Sequence, residues 1–284
     1  MIKRVAVVGT GIMGHAIAEN FLRDGKAVVV WNRTPQKTED LVSKGAVLAT
    51  SPKEATEQAD IVFEVTADDE SSQGVWTGDE GIFAGARRNQ TLVTCATLSA
   101  TWTDELAEQS QKQGVAFFDM AMTGGRPAAE AGQLTLLVGG NQAQLSELDP
   151  VLQDIAKEVK YFGRVGSGMR YKLVLQALQA VHMAGFGEAM KLAGQAGLPE
   201  KLTGDALEER PGGATTKFAW DGYQKEPDPI NFSVAWIAKD LRYAKEMAAG
   251  GEYPFLDFAL RRYEEAIREG KSDSDWTAIT KDLK

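Results

Sequence analysis

Apolar residues follow two different periods along the chain. Val5–Val8 is a β-branched run that breaks into Gly9, Gly11 and Gly14, and Ala16–Leu22 then continues at helical spacing: strand, tight turn, helix. The alternation recurs. Ala27–Trp31 reads as a strand, Pro35–Ser43 as a helix opened by proline, Asp60–Val65 and Gln90–Cys95 as strands, Thr103–Gln113 as a helix and Val115–Phe118 as a strand. After Gly132 come a strand over Leu134–Val138, a helix over Gln142–Ala156 and a strand over Val159–Phe162. Strands that alternate with helices predict a mostly parallel sheet covered on both faces.

Near Phe162–Gly168 the alternation stops. From Gly168 to about Gly197 the residues are mainly Leu, Ala, Met, Val and Gln, which predicts one long helix, apolar around most of its circumference, at the centre of something. Pro199–Glu208, Val234–Ala248 and Pro254–Gly270 follow as helices separated by Pro and Gly loops such as Lys225–Pro229. A chain of 284 residues exceeds what one core usually fills. The expected division is therefore residues 1–163, an α/β domain, and 164–284, an all-helical domain that contains the long helix at about 168–196.

The net charge of -9 argues against general affinity for nucleic acid or an anionic membrane, so any anion must be bound locally. Cys95 is the only cysteine and reads as a small buried hydrophobe, while His15 and His182 lack metal-ligand spacing, so no metal site is expected. The opening MIKRVAVVGTGIMG reads as a first strand rather than a signal peptide, and no stretch approaches the ~20 apolar residues of a membrane span. The expected location is the cytoplasm.

Gly9-Thr10-Gly11-Ile12-Met13-Gly14 is G-x-G-x-x-G placed directly after a strand and opening a helix. The first glycine makes the turn, the second lets backbone approach a pyrophosphate and the third lets helix pack on strand, while the helix start offers N–H donors. This predicts a Rossmann-type, doubly wound fold that binds a dinucleotide. NAD enzymes place a carboxylate at the end of the second strand, whereas here it ends Trp31-Asn32-Arg33-Thr34. A carboxylate at 32 would repel a 2′-phosphate, while Arg33, Thr34 and Lys37 can donate to one, so NADP(H) is expected in preference to NAD(H). Read blandly, Arg33 is a solvated surface charge beside a turn-forming Asn32. Thr66, just past the strand ending at Val65, is a further candidate cofactor contact.

Thr123-Gly124-Gly125 can present a hydroxyl and backbone N–H groups to a carboxylate, although an ordinary loop fits the spacing as well. Lys172, Gln176 and Gln179 share one face of the long helix, where a polar stripe needs a partner or a wet cleft. A desolvated lysine beside a cofactor can exchange a proton with a substrate oxygen; a lysine snorkelling from the rim is the plainer alternative. Lys239-Asp240-Leu241 read alone is a helix-surface charge.

Taken together, these segments resemble the β-hydroxyacid dehydrogenase family, which includes 3-hydroxyisobutyrate dehydrogenases and glyoxylate/succinic semialdehyde reductases and is related to 6-phosphogluconate dehydrogenases. Gly9–Gly14 is similar to the family's GxGxMG, Trp31–Lys37 to its NADP-type strand ending, and Asp119–Gly125 to its D-x-x-x-S-G-G. Gly163–Lys172 is similar to the segment bearing its catalytic lysine, and Lys239–Leu241 to its KDL. The resemblance implies that Lys172 is the general acid/base, that Thr123, Gly124 and Gly125 hold a substrate carboxylate, and that Lys239, with Asp240 nearby, lies close to substrate and nicotinamide. Thr97 would meet the nicotinamide ribose. The family's serine is Thr123 here and its asparagine is Gln176, changes that bear on the substrate. The implied reaction is NADPH-dependent reduction of a small carboxylate-bearing aldehyde or ketone, or oxidation of the 3-hydroxy acid. Imine reductases share the fold but typically lack the lysine, and a redox-silent NADPH-binding regulator is the reading from another class. The long apolar helix, with the resemblance, implies a homodimer or homotetramer.

Overall fold

The β-branched runs assemble into one eight-stranded sheet: β1 (Arg4–Val8), β2 (Ala27–Trp31), β3 (Val47–Leu48), β4 (Ile61–Glu64), β5 (Thr91–Thr94), β6 (Ala116–Thr123), β7 (Leu134–Gly139) and β8 (Ala156–Gly163). The computed structural model describes residues 4–209, 213–247 and 252–281. The strand order is β3-β2-β1-β4-β5-β6-β7-β8, and every neighbouring pair is parallel except β6 with β7. Val5–Val8 and Ile61–Phe63 are buried on both faces, which is why these strands are apolar throughout and show no alternation. The sheet with its helices is the Rossmann-type arrangement, and an array of helices follows it in the chain.

Residues divide into two units, Met1–Lys172 and Leu173–Lys284. In the first, the core beneath the glycine-rich turn gathers Val5, Ile17, Phe21, Phe63, Phe118 and Met120, with Phe21 and Phe63 rings 5.4 Å apart. In the second, Leu173, Phe186, Trp220, Ile237, Leu241 and Tyr263 form a separate core among the helices Glu200–Glu208, Gly213–Gln224, Val234–Met247 and Pro254–Arg268. The expected end of one helix at Ala248 lies outside the described residues. The long helix spans Ser167–Gln195.

Several boundaries differ from the sequence pattern. β6 does not stop at Phe118 but continues to Thr123: its first half pairs with β5 and its second half, antiparallel, with β7. Thr123 therefore ends a strand. The helix expected over Gln142–Ala156 breaks into Gln142–Leu145, a 3-10 turn and Asp149–Leu152, where Pro150 can donate no backbone hydrogen bond, and β8 starts at Ala156. The helix expected from Thr103 starts at Ala100, because the Ser99 hydroxyl accepts the Trp102 N–H and caps it. β3 is two exposed residues at the sheet edge, too short for any period to register.

Cys95 is 2 % exposed, and burial, then the neighbouring Glu64 charge, pushes its thiol far above the ordinary range. A small maleimide should therefore not label the native protein, yet should add one label per chain in denaturant. Rapid labelling without denaturant would contradict this packing.

Candidate active site

Four parallel strands, β1, β4, β5 and the first half of β6, end at one edge of the sheet, with Val8, Glu64, Thr94 and Asp119 in adjacent register. Edges of this kind are where α/β sheets take their ligands. Gly9 follows β1 with φ +98°, and a Cβ there would lie 2.5 Å from the Val65 carbonyl oxygen. A Cβ on Gly14 would lie 1.9 Å from the Gly9 carbonyl oxygen, so only glycine lets the helix Ile12–Arg23 start this close to the turn. The Cβ direction of Gly11 is open, and no side chain caps the first turn that Gly11 begins. The backbone N–H groups of Ile12 and Met13 thus stand at a helix start without a side-chain acceptor, a cradle that suits a pyrophosphate.

At the end of β2 the Asn32 side chain works inside the protein. Its Oδ1 accepts the Thr10 N–H at 3.0 Å and its Nδ2 donates to the Thr34 carbonyl at 3.0 Å, which ties the glycine turn to the segment after β2. The Thr10 hydroxyl donates to the Lys37 carbonyl at 3.4 Å. An aspartate at 32 could not supply the second bond. Arg33, Thr34 and Lys37 project from this braced turn and are exposed.

Glu64 ends β4 with no exposure, a position the sequence reading passed over. Its carboxylate accepts the Thr94 hydroxyl at 2.6 Å, the Thr66 N–H at 3.1 Å and the Thr66 hydroxyl. Thr66 is thus held from beneath by a buried acid, and Thr97 lies half-buried beyond β5. A charge inside the run Ile61–Val65 was the available signal.

Beyond β6, Gly124 and Gly125 take φ of +124° and +65°, two consecutive backbone positions that favour glycine and turn the chain straight after the Thr123 hydroxyl. Lys172 lies one turn into the long helix and is 8 % exposed.

The second unit brings three of the remaining candidates together. Gln176 Nε2 donates to Asp240 Oδ2 at 2.9 Å, Lys239 Nζ stands 2.9 Å from Asp240 Oδ1, and the same ammonium lies 5.3 Å above the Tyr243 ring. Asp240 is wholly buried, so its carboxylate orients both the amide and the ammonium. Lys239 is therefore no plain surface charge.

Residues 4–163 match the family model described as the NAD binding domain of 6-phosphogluconate dehydrogenase, and residues 166–283 match the NAD-binding segment of NADP-dependent 3-hydroxyisobutyrate dehydrogenase. Glyoxylate/succinic semialdehyde reductase 2 of Arabidopsis thaliana is 30% identical over 99% of this chain and 79% of its own. The structure of Mycobacterium tuberculosis 3-hydroxyisobutyrate dehydrogenase with L-serine superposes with a TM-score of 0.90 at 24% identity, covering 100% of both chains. That of Psf3 in complex with NADP+ and 2-OPP gives 0.89 at 25% identity, covering 99% of this chain and 100% of the other.

Burial raises the Glu64 carboxyl above its ordinary value of 4.5, and the threonine hydrogen bonds pull it only part of the way back. A raised folded-state value means that the folded protein binds the proton more tightly. Its stabilising contribution is then complete below the ordinary value and is lost as pH rises through the folded one. Glu64→Gln keeps an acceptor for the threonines and removes this titration, so the variant's Tm relative to the parent should climb as pH rises above the ordinary carboxyl value. Tm curves that stay parallel as pH rises would contradict the assignment.

Proposed function

The chain belongs to the β-hydroxyacid dehydrogenase family of oxidoreductases, and from that premise we propose that it uses NADPH to reduce a small carboxylate-bearing aldehyde or ketone, or in reverse oxidises the 3-hydroxy acid. The observation that carries the reading is a lysine, Lys172, buried one turn into the long helix of a protein whose glycine turn is shaped for a pyrophosphate.

When bound, the nicotinamide supplies a hydride to the carbonyl carbon. Lys172 Nζ holds the proton that the carbonyl oxygen takes up, or in reverse accepts the hydroxyl proton. The Thr123 hydroxyl and the N–H groups of Gly124 and Gly125 bind the substrate carboxylate. Gln176 and Lys239 are assigned to the substrate as the family resemblance implies. The N–H groups from Gly11 to Gly14 receive the pyrophosphate, with Gly9 making the turn. Arg33 offers a guanidinium fork to the 2′-phosphate, Thr34 and Lys37 add donors, and Asn32 braces the turn that presents them. Thr66, Thr97 and Lys239 are assigned to the nicotinamide half.

Lys172 counts against the imine reductase alternative, because imine reductases share the fold but typically lack this lysine. The reading extends to assembly: Tyr171, Val174 and Leu178 lie along the long helix with 36 to 55 % of their surface exposed, an apolar row that a second copy would cover in a homodimer or homotetramer. No helix among the described residues is long and apolar enough to cross a membrane, and the proposed location is the cytoplasm.

Lys172→Ala should leave NADPH affinity nearly intact and lower kcat by ~10²–10⁴-fold; turnover near that of the parent would remove Lys172 from the chemistry. Arg33→Ala deletes charge-assisted bonds worth about 1.5–3 kcal/mol, so NADPH affinity should fall by roughly ten- to a hundredfold. NADH affinity should barely change. An equal loss for both cofactors in fluorescence titrations would contradict the 2′-phosphate role.

A further inference from the structure

Asp119 lies where β6 passes from one neighbour to the other, in register with Thr94 of β5 and Gly139 of β7. Its side chain is fully buried, a place where a carboxylate is strongly disfavoured unless its lone pairs are filled. The start of the long helix fills them. Oδ1 accepts the Gly166 N–H at 2.6 Å and Oδ2 accepts the Met169 N–H at 2.7 Å. These donors belong to the turn in which a helix has no acceptors of its own and where its dipole favours negative charge.

The origin of this cap sets it apart. Ser51, Asp68 and Ser99 each cap the helix that begins next to them in the chain, so they determine only where that helix starts. Asp119 stands 47 and 50 residues from its donors, on a central strand, so its bonds set the position of the helix relative to the sheet. The contact is close: a Cβ on Gly168 would lie 2.2 Å from the Leu137 carbonyl oxygen of β7, and one on Gly139 would lie 2.4 Å from Asp119 Oδ1. Two outer ties share the load, the Leu98 N–H to Met169 Sδ at 3.3 Å and the Arg170 guanidinium to the Asp104 carboxylate at 2.7 and 3.1 Å. Lys172 follows Met169 by three residues, in the next turn of the same rigid element.

We infer that Asp119 is a positioning residue for Lys172: the β6 carboxylate fixes the helix start against the strand that ends in Thr123, and so fixes where the ammonium stands. The inference rests on the proposed role of Lys172. A proton donor displaced by ~1 Å can lose about a hundredfold in rate, so a cap of this kind bears on turnover as well as on folding.

Asp119→Asn keeps size and one acceptor, but its amide N–H₂ faces the second backbone donor and loses that bond. It should lower kcat by about ten- to a hundredfold while the NADPH Kd stays within about threefold. The decisive comparison is a double-mutant cycle with Lys172→Ala. If Asp119 acts through Lys172, Asp119→Asn costs less than about threefold more in the K172A background. The same loss in both backgrounds would overturn the inference, as would a loss below about threefold in the parent while K172A itself is impaired. Turnover of K172A close to the parent's would be seen in that single variant and would sink the catalytic reading together with the inference. If Asp119→Asn gives no folded protein, Gly168→Ala, which presses the helix start off β7 with Asp119 intact, goes through the same cycle and is read by the same criteria.

Discussion

Backbone N–H groups at the start of a helix have no carbonyl partners of their own, and the first unit uses its helix starts in three ways. Ser99 caps one from the adjacent position, which only sets where that helix starts. Asp119 fills another from a distant strand, which locks helix to sheet. At Gly11 no side chain intervenes, and the open Cβ direction leaves the donors to a ligand. The binding edge thus follows from which donors the fold satisfies internally and which it leaves for an anion.

The charge distribution obeys the same constraint. With a net charge of -9, attraction of a dinucleotide must come from local features. Arg33 and Lys37 stand on a turn held by the Asn32 amide, and an uncharged residue is the one that can brace this turn by both accepting and donating. In the second unit the Asp240 carboxylate orients Lys239 and Gln176 at once. Part of the Lys239 charge is offset there, which tempers its pull on any anion while fixing its direction.

The sheet was legible because its central strands are buried on both faces, so Val5–Val8 and Ile61–Phe63 read as continuous apolar runs. The glycine turn was legible because Gly9 and Gly14 stand where close backbone contacts exclude a side chain, with Gly11 between them at the spacing of a dinucleotide-binding turn. Less could be read where a pattern was short or a partner remote. β3 is two exposed residues, and Pro150 divides a segment whose apolar spacing suits a single helix. Glu64 meets Thr94 across 30 residues and Asp119 meets Met169 across 50, so neither acid's role has a local signature beyond a charge inside a buried run. Lys239 read alone as a surface charge for the same reason, since Gln176 lies 64 residues from Asp240.

The central claim is that this protein binds a substrate carboxylate beside a nicotinamide. The most direct measurement compares kcat/KM for succinic semialdehyde and for butyraldehyde, which share a four-carbon chain and an aldehyde and differ in the carboxylate, under saturating NADPH. A charge-assisted carboxylate site predicts a preference for the semialdehyde of at least about tenfold. Equal values, or a preference for the neutral aldehyde, would contradict it.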